Sequence, residues 1–342
     1  MDRMRNGIDY KISLLRIIAT LSVVMLHVCS TLTDGVAVSW SSTFQFDVFA
    51  LTQILLHWTI PVFFMITGFL LLGPEKSIGY DKVFRKYCSR IVGVLVIFGI
   101  PMAFIKIYSE GQGEISAMDS FGKALLAVLS NQGFAHFWYL YVLIGLYLVL
   151  PVIKAFTARA SRKDLDILIL ILFIFTSLAP LLSSVLKIGI AFTVPFSYGV
   201  MYLLLGYRMR NIGKVVRIFP VSLFAVMAAL LIVLYKSPFW NGIYAVYGSP
   251  IVVLMAVSVF LFIMSFDVKG GNALWAADRL CFGVYIIHPL FIHIAYRGMG
   301  LVPTSKTAWP LAMILTFLAV AFLSFATTAL LMLIKPLKKY VL

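Results

Sequence analysis

Arg16 and His27 lie eleven residues apart in the stretch LLRIIATLSVVMLH, residues 14–27, and everything between them is apolar or small. On an α-helix eleven residues turn through about 1100°, within about 20° of three full turns, so both side chains share one face. The rise between them is about 16 Å. A guanidinium suits a phosphate, and an imidazole suits proton transfer at a hydroxyl or a thioester. The separation is comparable to an extended phosphopantetheine arm, so one helix face can address both the phosphate end and the acyl end of a coenzyme A thioester. The plainer reading is that Arg16 marks a membrane side and snorkels to the headgroups.

Three other constellations carry chemistry. DKVFRKYCSRI, residues 81–91, places Lys82, Arg85, Lys86 and Arg90 together, either as a clamp on adenosine phosphates or as an ordinary basic loop. HFWYLYVLIGLYLVLP, residues 136–151, opens on His136, Trp138 and Tyr139, either a lip for sugar rings or an interfacial aromatic belt. In GVYIIHPLFIH, residues 283–293, Tyr285 and His288 share a face, and Pro289 frees the carbonyl of Tyr285. Pro61 does the same for the carbonyl of His57. These prolines either kink their helices or build a polar pocket inside the membrane. His288 and His293 point about 140° apart and do not face one site. Cys29, Cys88 and Cys281 show no paired spacing, so neither a disulfide framework nor a metal site is expected.

The elements that must position these residues are greasy. The chain has 342 residues, 62% hydrophobic and 12% charged, with a mean hydropathy of +1.02. Its apolar runs are about 20 residues long and do not alternate, which predicts membrane-spanning helices and excludes a barrel. The fold class expected is all-α: a polytopic integral membrane protein with about ten transmembrane helices. The spans fall near 12–32, 48–72, 90–108, 136–154, 165–186, 190–207, 217–236, 244–266, 280–298 and 309–334. Residues 121–131, FGKALLAVLSN, read as a short interfacial helix within the longest connection. The N-terminal run reads as a retained first helix rather than a cleaved signal. Residues 1–342 are expected to form one membrane-embedded domain with no separate soluble domain.

Of the 28 basic residues, 22 fall on one side of this layout, which predicts both termini in the cytoplasm. The net charge of +15 is then a topology signal, and no nucleic acid partner is expected. The acidic residues fall in loops or at span ends. The candidate ionisable groups inside the membrane are therefore His27, His57, His288 and His293, with His136 at an outer boundary.

Together these stretches resemble the membrane acyltransferase 3 family, which O-acylates cell-surface carbohydrates and related acceptors. The resemblance covers nearly the whole chain. It rests on Arg16 and His27; on PVFFMITGFLL, residues 61–71, with Thr67 where serine is usual; on the stretch from His136; and on CFGVYIIHPLFIH. The last, with His293, is similar to the branch holding the enterobacterial common antigen O-acetyltransferase. Ser13 stands where the family often has aspartate, Cys281 where it often has serine. Aligned on Arg90, the family's Arg-x-x-Arg pair places Tyr87 at its first arginine.

The resemblance implies a multi-pass enzyme of the bacterial cytoplasmic (inner) membrane. It moves an acyl group, by default acetyl, from cytoplasmic acyl-CoA to a hydroxyl of a cell-surface or lipid-linked glycan, with no permanently bound cofactor. His27 is then general base or transient acyl carrier. Arg16, Arg85, Lys86 and Arg90 face coenzyme A, Tyr285 and His288 orient the reacting groups, and His57, His136, Trp138 and Tyr139 meet the acceptor. The alternative is a transporter or flippase for a lipid-linked glycan, against which stand the missing internal repeat and the missing intramembrane carboxylate.

Overall fold

The computed structural model describes residues 10–35, 40, 42–110, 116–189, 197–213, 215–303 and 308–340. Among the described residues the regular structure is entirely helical. In chain order the helices are α1 (Tyr10–Ser30), α2 (Thr43–Leu55), α3 (Thr59–Leu71), α4 (Tyr80–Ser109), α5 (Ala117–Leu129), α6 (Trp138–Thr157) and α7 (Arg162–Leu186). They continue as α8 (Tyr198–Met209), α9 (Ile218–Lys236), α10 (Pro250–Met264), α11 (Asn272–Gly298), α12 (Trp309–Leu331) and α13 (Lys335–Tyr340).

Among the described residues eight segments are long and apolar enough to cross a membrane: α1, α2 with α3, α4, α6, α7, α9, α11 and α12. The protein is a polytopic membrane protein. The sixth and eighth expected spans correspond to α8 and α10, of 12 and 15 residues, shorter than the ~20 residues a bilayer core requires. Residues 190–196, the start of the sixth expected span, lie outside the described residues, as do Arg3 and Arg5 of the basic N-terminus. The expected interfacial helix is α5. It buries Ser120, Ala124 and Val128 on one face and exposes Met118, Leu126 and Leu129 on the other, the amphipathic pattern of a helix lying at an interface.

The chain divides into two compact units. The first runs through Ser30 and takes in Phe46–Ser77 and Val152–Asp278; the second takes in Thr31–Gln45, Ile78–Pro151 and Arg279–Leu342. In the first unit α3 is the hub, packed by α1, α8 and α10. Its crossing with α8 is backbone on backbone: a Cβ at Gly68 would strike the carbonyl of Leu203, and one at Gly206 would strike that of Met65. Lipid offers no hydrophobic drive between helices, so such close approach at small residues supplies the attraction. Phe64, Met65, Tyr202 and Leu203 fill the space around the crossing. Cations close the C-terminal end of α3. Arg210 donates to Phe69 O and pairs with Glu75 at 3.0 Å. Lys154 Nζ donates to Leu72 O at 3.0 Å and Gly73 O at 2.6 Å, answering carbonyls that a helix end leaves without partners.

In the second unit α5 packs on α4, and the Tyr141 hydroxyl donates to Val128 O. Lys106 Nζ donates to Gly133 O at 3.0 Å. A Cβ at Gly283 of α11 would strike the side chain of Thr328 on α12, so these two helices also meet at a small residue.

Candidate active site

In the first unit α1 carries Arg16 and His27 on one face, as their spacing requires. The Arg16 guanidinium, 26% exposed, is ion-paired through Nη1 with Asp278, 13% exposed. Ser13, one turn before Arg16, donates its hydroxyl to the other carboxylate oxygen at 2.9 Å. Thr20 ties the Arg16 carbonyl to the following turn at 2.8 Å. Nearby, Lys11 Nζ donates to Met264 O at 2.8 Å and lies 3.8 Å from Asp267. Arg16 is therefore held by a partner that reading the helix alone does not reveal. Asp278 sits within α11, 262 residues away in sequence.

Further along α1, His27 is partly buried, with Ser30 Oγ 3.4 Å from its Nδ1. His57 lies close enough for the two imidazoles to interact electrostatically. His57 occupies the tight turn between α2 and α3, where the backbone hydrogen bonds shorten to i→i−3. Its Nδ1 lies 2.6 Å from Ala245 O, and its ring is 5.2 Å from that of Tyr247. A carbonyl oxygen only accepts, so Nδ1 carries the proton and Nε2 keeps its lone pair. Tyr247 O in turn accepts from the buried Tyr202 hydroxyl at 2.7 Å. The short segment after α9 thus fixes the tautomer of a histidine that is distant in sequence.

The second unit gathers His136, Tyr139, Tyr285 and His288. The Tyr285 hydroxyl donates to His136 O. The His136 ring lies 5.5 Å from Tyr285 and 5.6 Å from His288, and Tyr139 lies 5.4 Å from Tyr285. His288 Nδ1 lies 3.1 Å from Val284 O one turn back, which fixes its tautomer by the same argument. His136, Tyr139, Tyr285 and His288 are all buried, so they form an internal polar cluster rather than an open lip. Trp138 is part-buried beside Tyr139, at 6.5 Å. His293 faces Ser109, with Oγ to Nε2 at 3.2 Å. Of the basic candidates in this unit, Arg85 pairs with Asp81 at 2.8 Å, both largely exposed. Lys86 is exposed, and Arg90 lies 4.7 Å over the ring of Phe282. The structure does not gather these three into a closed clamp.

A family model, Acyl_transf_3, described as an acyltransferase domain, matches residues 9–333. The chain belongs to the acyltransferase 3 family. No match is found among curated proteins or solved structures. Family membership makes the chain a membrane acyltransferase and disfavours the transporter reading. It also changes the sense of one motif. In PVFFMITGFLL, Gly68 is the crossing point with α8, the Phe69 carbonyl is held by Arg210, and Thr67 Oγ1 donates back to Phe63 O at 2.9 Å. In this acyltransferase that signature builds the hub. Asp278, Tyr247 and Ala245 are partners of the candidate residues that the sequence did not disclose. The signal available for Asp278 was an acidic residue entering an otherwise apolar helix.

Proposed function

We propose that the protein transfers an acyl group, acetyl by default, from cytoplasmic acyl-CoA to a hydroxyl of a cell-surface or lipid-linked glycan. The observation that carries this reading is the α1 face, where a guanidinium steadied by Asp278 and Ser13 precedes His27 by about 16 Å. Asp278 engages Nη1 and leaves Nε and Nη2 to a phosphate of coenzyme A. The distance to His27 suits the pantetheine arm. Arg85, Lys86 and Arg90 are proposed to add positive potential for the approaching nucleotide.

In the reaction, the neutral His27 imidazole takes the proton of the acceptor hydroxyl as its oxygen bonds to the thioester carbonyl carbon. The tetrahedral adduct then expels the thiolate, which takes the proton back from the imidazolium, leaving an ester and free coenzyme A. A transient acyl-imidazole on His27 is the covalent variant of the same chemistry. His57, with Nδ1 turned to Ala245 O, accepts a hydrogen bond from the acceptor at Nε2. Tyr285 and His288 orient the reacting groups, the part-buried Trp138 meets the sugar, and the buried His136 and Tyr139 support it from behind. The weight of basic residues supports cytoplasmic termini in a bacterial inner membrane, and the CFGVYIIHPLFIH stretch supports the enterobacterial common antigen-like branch.

The test is thermal stabilisation of the purified protein by acetyl-CoA and by coenzyme A. A ligand that binds only the folded state stabilises it by about 2.7 kcal/mol at a hundredfold excess over its Kd. Acetyl-CoA should stabilise wild type and His27→Ala but not Arg16→Ala, and His27→Ala should lose transfer by roughly 10²-fold or more. No stabilisation of wild type at millimolar ligand would overturn the reading.

A further inference from the structure

A cavity of about 140 Å³ opens in the first unit among Ser161, Arg162, Leu165, Tyr207, Arg208 and Asn211, with Thr157 and Ala160 at its side. A volume of this size takes a small group such as a phosphate. Its lining carries two arginines, of which Arg208 is paired with Asp166, and a serine, Ser161, bonded to Asp164. Three chain segments build it: the end of α6, the start of α7, and the end of α8 with Asn211 beyond it.

The guanidinium of Arg208 is aimed by Asp166, which takes Nε at 2.6 Å and Nη2 at 3.4 Å. That grip fixes the plane of the fork and leaves both N–H groups of Nη1 and the second of Nη2 as donors. Tyr207 is held by its hydroxyl against Thr157 O at 3.4 Å. Asn211 and Arg162 are exposed, so the cavity is open to solutes. It lies between two stretches of the basic side, the one holding Lys154, Arg159, Arg162 and Lys163 and the one holding Arg208, Arg210 and Arg217. Two guanidinium groups and an amide around a small opening suit a tetrahedral oxyanion ester.

We propose that this cavity binds a phosphate group carried by a larger molecule, a role that sequence reasoning assigned to residues 81–91. Two molecules of the membrane's cytoplasmic face carry that chemistry: the nucleotide end of coenzyme A, which rests on the function proposed above, and the headgroup of an anionic phospholipid, which does not.

The experiment uses full-length protein in nanodiscs of phosphatidylcholine, with or without phosphatidylglycerol. Coenzyme A and 3′-dephospho-coenzyme A are titrated as probes. Arg162→Gln combined with Arg208→Gln removes both guanidinium groups. Asn211→Asp is a separate, nearly isosteric variant that places a negative charge at the exposed rim. If the ligand is the nucleotide, both variants weaken coenzyme A by about tenfold or more and dephospho-coenzyme A by less. If it is the lipid, phosphatidylglycerol raises the Tm of wild type but not of either variant, while coenzyme A affinity stays unchanged. If wild type binds no coenzyme A yet shows the cavity-dependent lipid effect, the acyl-CoA reading fails and the cavity proposal stands. Variants that match wild type in both arms overturn the proposal.

Discussion

The Arg16–Asp278 pair gives a prediction that the structure makes quantitative. Both partners are mostly buried, at 26% and 13% exposure. Exposed ion pairs contribute about 0.2–1 kcal/mol, whereas removing one partner of a fully buried pair costs about 3–5 kcal/mol, because the other charge is left behind. This pair lies between those limits. Arg16→Gln leaves the Asp278 carboxylate with the Ser13 hydroxyl, and should cost about 2 kcal/mol. Asp278→Asn keeps an acceptor for Ser13 and places an amide beside a guanidinium that can still turn outward, so it should cost somewhat less, about 1.5 kcal/mol. With both changed, no buried charge is stranded, and the double variant should lie within about 1.5 kcal/mol of wild type. The cycle then yields a coupling of about 2 kcal/mol. Equilibrium unfolding of the four proteins in mixed detergent micelles measures it. Costs that add to within about 0.5 kcal/mol would refute the reasoning, since Arg16 would then be a mobile topology marker rather than a group held in place.

Two further predictions test the hub and the histidine at its edge. Gly206→Val sets a branched side chain against the Met65 carbonyl; backbone cannot yield as a side-chain tip can, so the variant should lose most of its folded yield on size-exclusion chromatography, and a wild-type profile would contradict the crossing. His57→Asn retains a donor for Ala245 O while deleting Nε2, so its Tm should stay within about 2 °C of wild type while its KM for the acceptor rises about tenfold; unchanged kinetics would reduce His57 to a structural pin.

What could be read from the sequence follows a physical division. Hydrophobic runs and helical periodicity are local, so the helical class, the shared face of Arg16 and His27, and the amphipathic α5 could be read directly. The partners of those residues are not local. Asp278 meets Arg16 across 262 residues, and Ala245 meets His57 across 188. A count of intramembrane acids misses Asp278, because a carboxylate near a helix start looks solvated until another helix is seen against it. The same limit applies to the cavity proposed above to take a phosphate. A run such as DKVFRKYCSRI advertises its charge because the residues are adjacent, yet Arg85 is spent on Asp81 in the exposed first turns of α4. The cavity among Arg162, Arg208 and Asn211 draws on segments some fifty residues apart and leaves no compact motif.

The short helices follow from the same physics. α8 and α10 fell below spanning length, and both lie against α3 in the interior of their unit. A helix packed by protein need not match the bilayer's thickness, because neighbouring helices, not lipid, set its surroundings. α9 and α12 instead expose Val226, Val233, Phe322 and Leu330 and run to 19 and 23 residues. Hydropathy finds both kinds equally well, since it measures how apolar a segment is. What distinguishes them is how close another backbone must come. In α8 that demand is written in one residue, Gly206, whose missing Cβ admits the Met65 carbonyl. Glycine in a short apolar helix is therefore the sequence sign of a backbone crossing, whereas α10, as free of glycine as Val221–Lys236 of α9, is marked as a core helix only by the helices packed against it.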